Sequence, residues 1–235
     1  MKKLIAILFL PFLLEVSAQD FTEQEVTLNG IKGTLSMPSE ESLTAILLIS
    51  GSGPTDRDGN SALGLNNNSL QMVAHLLTSN GFAVLRYDKR GIAESATALA
   101  NRADLRFDDL VEDAVNWLDF LRNEGFQKLI VAGHSQGSLV GMMASKNSEN
   151  VAGFISIAGI ADNAGDIMVR QLEAQSPALA ENAKVNIDSM RAGFIVKRYS
   201  PYLIPLFGPE TQPFLKSYIA YTPVEEIQKL NIPVL

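Results

Sequence analysis

Cysteine is absent from the 235 residues, so disulfides, thiolate metal sites and a lipid-attachment cysteine are all excluded. Histidine occurs only twice, at His75 and His134, which leaves little material for a metal centre or an imidazole base. Positive charge is in deficit, with 19 Lys and Arg against 26 Asp and Glu and a net charge of −7. That balance argues against nucleic acid and anionic membrane surfaces as partners. Long hydrophobic runs are missing too. The most extended, Leu4 to Leu14, is too short to span a bilayer, so no stable membrane insertion is expected.

What is present is the composition of a globular protein, 46% hydrophobic and 19% charged, with a length that suits one domain or one domain carrying an insertion. Lys2 and Lys3 ahead of the Leu4 to Leu14 run, with small residues at Val16-Ser17-Ala18, form a secretory leader pattern over residues 1–18. Cleavage after Ala18 and a periplasmic or secreted mature protein are the expectation.

The pattern along the chain alternates strands with helices. Phe21 to Leu28 and Ile31 to Met37 alternate apolar and polar residues around Asn29-Gly30, a hairpin turn signal. AILLIS (45–50), AVLRY (83–87), KLIVA (128–132) and VAGFISIA (151–158) are apolar runs of the kind buried on both faces of a parallel sheet. Helical spacing separates them over 69–80, 108–124 and from Gln136 to about Lys146, with Gly81 and Gly125 as stops. This predicts an α/β fold, a mostly parallel sheet with helices on both faces, over residues 19–158. Residues 159–230 lack a buried strand and read as an insertion of helices capping the core. NIPVL (231–235) reads as the first residues of one more core strand, so the chain is expected to continue through further strands.

The chemistry centres on GHSQG (133–137), a G-x-S-x-G that follows a predicted buried strand and opens a predicted helix. That context is the confirming one for a nucleophile elbow, a sharp turn that presents a serine hydroxyl. Ser135 is therefore the candidate catalytic nucleophile. Acyl transfer also needs donors aimed at the developing oxyanion. The backbone N–H of Gln136, first in its helix, is one candidate. The N–H of Ser52, in the small-residue loop Ser50-Gly51-Ser52-Gly53-Pro54, is the other. Asp56-Arg57-Asp58-Gly59-Asn60 superficially suggests a calcium loop, but the sixth position is Ser61 and the twelfth Asn67, so the pattern fails. It reads as a hydrogen-bonded support for the oxyanion turn, and neither metal nor cofactor is implied.

Three segments, SGSGPTDRDGN (50–60), RYDKRGIAES (86–95) and GHSQG (133–137), together resemble the α/β-hydrolase superfamily, and within it bacterial serine esterases and serine aminopeptidase-like members. The likeness extends over roughly 21–160 and more weakly over 221–235. Ala93 departs from it, standing where such proteins usually carry glycine. The resemblance implies a triad acid after the seventh strand and a histidine after the eighth, both past Leu235. Within the chain, His134 is expected to point away from the Ser135 hydroxyl toward the flank of the sheet, and His75 to sit on a helix surface or support a loop. Asp162, after the sixth strand, is a possible acid. Tyr199, Tyr202, Phe207, Phe214 and Tyr218 could line an acyl pocket, although aromatics more often fill cores. The expectation is a secreted serine hydrolase acting on a small-molecule ester or acyl compound. The alternatives are a peptidase acting on short peptides and a binding protein that kept the elbow without the triad.

Overall fold

A computed structural model describes residues 21–235, and the leader read over 1–18 lies outside the described residues. The chain opens with a hairpin, β1 (Phe21–Leu28) and β2 (Ile31–Pro38). Asn29 and Gly30 both take positive φ, 52° and 80°, the backbone that a two-residue hairpin turn needs. There follow β3 (Thr44–Ile49), α1 (Ser69–Ser79), β4 (Ala83–Tyr87), α2 (Phe107–Asn123), β5 (Lys128–His134), α3 (Gln136–Lys146) and β6 (Val151–Ile157). The sheet order is β1-β2-β4-β3-β5-β6. Only β2 runs against the others, pairing antiparallel with β1 and β4, while β4, β3, β5 and β6 pair in parallel.

Alternation along β3 divides the core in two. Ala45, Leu47 and Ile49 face α2 and α3 in the larger cluster with Leu85, Trp117 and Val131. Ile46 and Leu48 face α1, joining Leu70, Ala74 and Val84 in the smaller one. The strands are continuous apolar runs because both faces are covered. Residues Gln136–Ser145 of α3 are buried all round, as befits a helix packed on β5, β6 and α2 at once.

Beyond β6 come α4 (Ala164–Glu173), α5 (Pro177–Arg191) and three short helices, α6 (Ile204–Phe207), α7 (Gln212–Tyr218) and α8 (Pro223–Ile227). This segment is not separate from the core. α7 packs on α2 and α8 on α3, and Ile187, Met190, Phe207, Leu215 and Tyr218 belong to the larger hydrophobic cluster. Polar ties join the same layers: Phe107 N–H donates to Ser217 Oγ at 2.8 Å, and Lys146 pairs with Glu226 at 3.2 Å. After α8, Pro233 and Leu235 lie alongside β6 in parallel. Phe154 N–H donates to Pro233 O at 3.0 Å and Ser156 N–H to Leu235 O at 2.8 Å.

Candidate active site

Ser135 sits between β5 and α3 with φ 52° and ψ −118°, a conformation that an L residue reaches only under local constraint. The two glycines of the motif supply that constraint. A Cβ on Gly133 would stand 2.1 Å from Gly137 O, and a Cβ on Gly137 would stand 2.5 Å from Ser50 O. The turn is therefore closed on itself and against the end of β3. Ser135 N–H donates to Ile157 O at 2.9 Å, which ties the turn to the end of β6 as well.

The loop after β3 meets this turn from the other side. A side chain at Gly51 would come within 3.4 Å of Ser135 Cβ, so the Ser50–Thr55 loop lies against the serine. Gln136 N–H is the first amide of α3, at the positive end of the helix. The structure thus brings together Ser135, Gln136 and the loop bearing Ser52, the three positions picked out from the sequence. A hydroxyl so placed can attack a carbonyl carbon while backbone amides receive the developing negative charge.

It does not bring the remaining candidates to the hydroxyl. His75, on α1, bonds Glu23 Oε1 through Nε2 at 3.1 Å and packs on Phe21 with ring centroids 4.8 Å apart. That places it on the β1 side of the sheet. The His134 ring turns onto the Ser50–Thr55 loop instead of the flank of the sheet, with Nδ1 3.0 Å from where a Gly51 Cβ would be. Asp162 is surface-exposed and paired with Arg170 of α4, as a carboxylate beside a guanidinium in solvent commonly is. Among the described residues, no hydrogen bond joins the Ser135 hydroxyl to a base.

Of the aromatic residues considered as pocket lining, Phe207 is fully buried and Tyr202 is exposed. Tyr218 is core as well. Its ring stacks on Phe107 at 4.8 Å and its hydroxyl meets the Gln136 side chain, while burial pushes its pKa up to about 12. Tyr218 therefore reads as an anchor that holds α7 over the start of α3.

The supports of the site are charged and mostly escaped the sequence reading. Arg86, on β4 and buried, donates to Asp58 Oδ1 at 2.7 Å, Glu23 Oε1 at 2.8 Å and Ser36 Oγ at 3.0 Å. Asp88 accepts from Arg57 N–H at 2.7 Å and from Glu94 N–H at 3.3 Å, and burial raises its pKa. Asp56 Oδ1 accepts from Asp58 N–H at 3.0 Å and Asn60 N–H at 2.8 Å. The Asp56–Asn60 segment is thus a hydrogen-bonded support, and among the described residues no group of three or more His, Asp or Glu could hold a metal ion. Ala93 takes φ 45°, the left-handed conformation that explains why glycine suits this position better. The one signal for these supports in the sequence was their concentration in 56–60 and 86–94. Their partners are set by sheet order, which spacing alone does not carry.

The sheet order, the elbow and its facing loop define the α/β-hydrolase fold. Among solved structures, the α/β hydrolase GrgF from Penicillium sp. sh18 superposes with a TM-score of 0.55 at 18% identity, covering 91% of this chain and 78% of that one. The proline iminopeptidase of Mycobacterium smegmatis gives 0.52 at 16% identity, covering 91% and 80%. The family model described as serine aminopeptidase, S33, matches residues 64–191, more than half of the chain, and the chain belongs to that family. It is 29% identical over 176 residues to esterase EstD of Thermotoga maritima. That match takes in 74% of this chain but spans only 41% of the length of the esterase. Among the described residues, no helix is long and apolar enough to cross a membrane.

Proposed function

We propose that the protein is a serine hydrolase that cleaves carboxylic esters or small acyl compounds through an acyl-enzyme on Ser135. The observation that carries this reading is the strained Ser135 backbone at the β5–α3 turn, locked by Gly133 and Gly137 against the Ser50–Thr55 loop. A binding protein gains nothing from that strain, whereas an attacking hydroxyl needs it. The amides of Ser52 and Gln136 receive the oxyanion. The base and its acid come from sequence outside these 235 residues. His75 is engaged by Glu23, no hydrogen bond among the described residues joins His134 to the Ser135 hydroxyl, and the related esterase is more than twice the length of the matched segment, which supports this assignment. On this reading the 235 residues alone turn over no ester. The leader pattern at 1–18 supports export, and hence a periplasmic or secreted enzyme.

A second reading, a peptidase acting on short peptides, is favoured by the family description itself. The two separate on substrate. The full-length protein should hydrolyse p-nitrophenyl butyrate and react with a fluorophosphonate probe, and Ser135→Ala should abolish both, with turnover falling roughly a millionfold as in proteases that lose a triad member. Preferential cleavage of aminoacyl p-nitroanilides would make it a peptidase. Ester turnover that survives Ser135→Ala would overturn the serine mechanism.

A further inference from the structure

Lys89 follows β4 and its ammonium is buried. It donates to Ser50 Oγ, Gly51 O and Thr55 O, each at 2.8 Å. Three donors meet three oxygens, so the ammonium is saturated. Among the described residues it has no carboxylate within ion-pair distance. Asp88 and Asp56 act on it only through the field. A buried cation on neutral oxygens is an expensive way to staple a loop, since a neutral donor would serve without the desolvation cost.

Its position suggests what the charge does. Gly51 C=O and Ser52 N–H belong to one planar peptide unit and point in opposite directions. By gripping the carbonyl, Lys89 fixes the direction in which the Ser52 N–H points. A charge-assisted hydrogen bond to that carbonyl also draws electron density away from the nitrogen, which makes the N–H a stronger donor. Both ends of the loop are held by the same group, because Ser50 Oγ and Thr55 O are its other partners. The hydroxyl of Thr55 closes the turn onto Ser52 O at 2.8 Å.

We propose that Lys89 is the positioning residue of the oxyanion hole, orienting and polarising the Ser52 amide through the Gly51 carbonyl it holds. This rests on the serine-hydrolase reading above. Burial also pulls the Lys89 pKa down to about 8, with Asp88 and Asp56 partly restoring it, so the charge is lost within an accessible pH range.

The test uses the full-length protein with p-nitrophenyl butyrate, comparing wild type with Lys89→Met, Lys89→Arg and Ser135→Ala. Removing one oxyanion donor costs about 100- to 1000-fold in turnover, and loss of its polarising partner should cost a part of that, about 10- to 100-fold in kcat with KM within about threefold. Lys89→Arg should recover part of the loss. In wild type, kcat should decline above about pH 8, and in Lys89→Arg that decline should move to higher pH. If Lys89→Met does not fold, the wild-type and Lys89→Arg profiles carry the test. A Lys89→Met protein with a lowered melting temperature but wild-type kcat per folded site would overturn the proposal, as would a wild-type profile flat from about pH 7 to 10. Activity surviving in Ser135→Ala would instead sink the serine mechanism on which the proposal rests.

Discussion

The loops at the C-terminal end of the sheet and the helical segment of 164–227 use charge in opposite ways. At that end of the sheet, Arg86 on β4 and Asp88 and Lys89 just after it are buried, and each has several partners on different strands or loops. In and beside the helical segment the ion pairs Arg170–Asp162, Lys184–Asp188 and Arg191–Asp166 lie at the surface, while Glu226, paired with Lys146 and Lys229, is buried. Exposed apolar side chains do not follow that division, since Leu63 and Leu65 of the loop between β3 and α1 are exposed as well as Phe194, Ile195, Tyr202 and Ile204 of the helical segment. The loops around Ser135 are over-determined by buried polar contacts. The helical segment is held by apolar packing on the core with a few polar ties, Phe107 to Ser217 and Lys146 to Glu226, and most of its charge lies at the surface.

The sharpest way to break that contrast is to disturb the elbow. Gly133→Ala puts a Cβ 2.1 Å from a backbone oxygen that cannot yield without opening the turn. It should destabilise the protein by at least about 3 kcal/mol, read as loss of soluble protein or a large drop in melting temperature.

Arg86→Met comes next. It strands Asp58 and Glu23 and should cost about 2–3 kcal/mol in denaturant titrations, less than a fully buried pair would because both carboxylates keep contact with water. The same variant tests a pH effect. Burial acts to raise the Glu23 pKa, but hydrogen bonds from Arg86 and Ser36 outweigh it and hold the group below its ordinary value of 4.5. A lowered folded-state pKa gives stability that is present above the ordinary value and lost as pH falls through the folded one. Acid unfolding below about pH 4.5 should therefore lose part of its steepness in Arg86→Met.

Two smaller effects sharpen the comparison. Ala93→Gly relieves a left-handed alanine beside Asp88 and should stabilise by about 0.5–1 kcal/mol, measured as a small rise in melting temperature. Tyr202→Ser, on the exposed outer surface of the helical segment, should leave stability within about 0.5 kcal/mol. An equally small change at a buried loop charge would erase the distinction between the two regions.

Much of the core was legible in the sequence because period and punctuation are local. β3, β4, β5 and β6 are the apolar runs, the hairpin turn sits on Asn29-Gly30, and Ser135 lies at its strand-to-helix turn. Helix boundaries shifted by about a residue, as at α2, where Phe107 is already helical and its N–H is taken by Ser217. What could not be read depends on which strands become neighbours. Arg86 meets Glu23 because β2 lies between β1 and β4, and Lys89 meets Gly51 because β3 and β4 run side by side. The helical segment was read as a cap from its lack of a buried strand, and that pattern does not show that α7 and α8 pack on α2 and α3, with Leu215, Tyr218 and Ile219 in the larger cluster.

The direction of β1 fixes how the molecule can be attached to anything. β1 is antiparallel to β2, which is antiparallel to β4, so β1 runs the same way as the strands whose C-terminal ends carry Ser135 and the Ser50–Thr55 loop. Phe21 therefore enters at the base of the sheet, a full eight-residue strand, about 26 Å, from the level at which β1 ends. A fusion partner, tag or solid support joined ahead of β1 sits beneath the molecule and leaves the mouth of the site facing outward. Immobilisation through that end should cost little substrate access, whereas crosslinking through the Ser50–Thr55 loop would obstruct it.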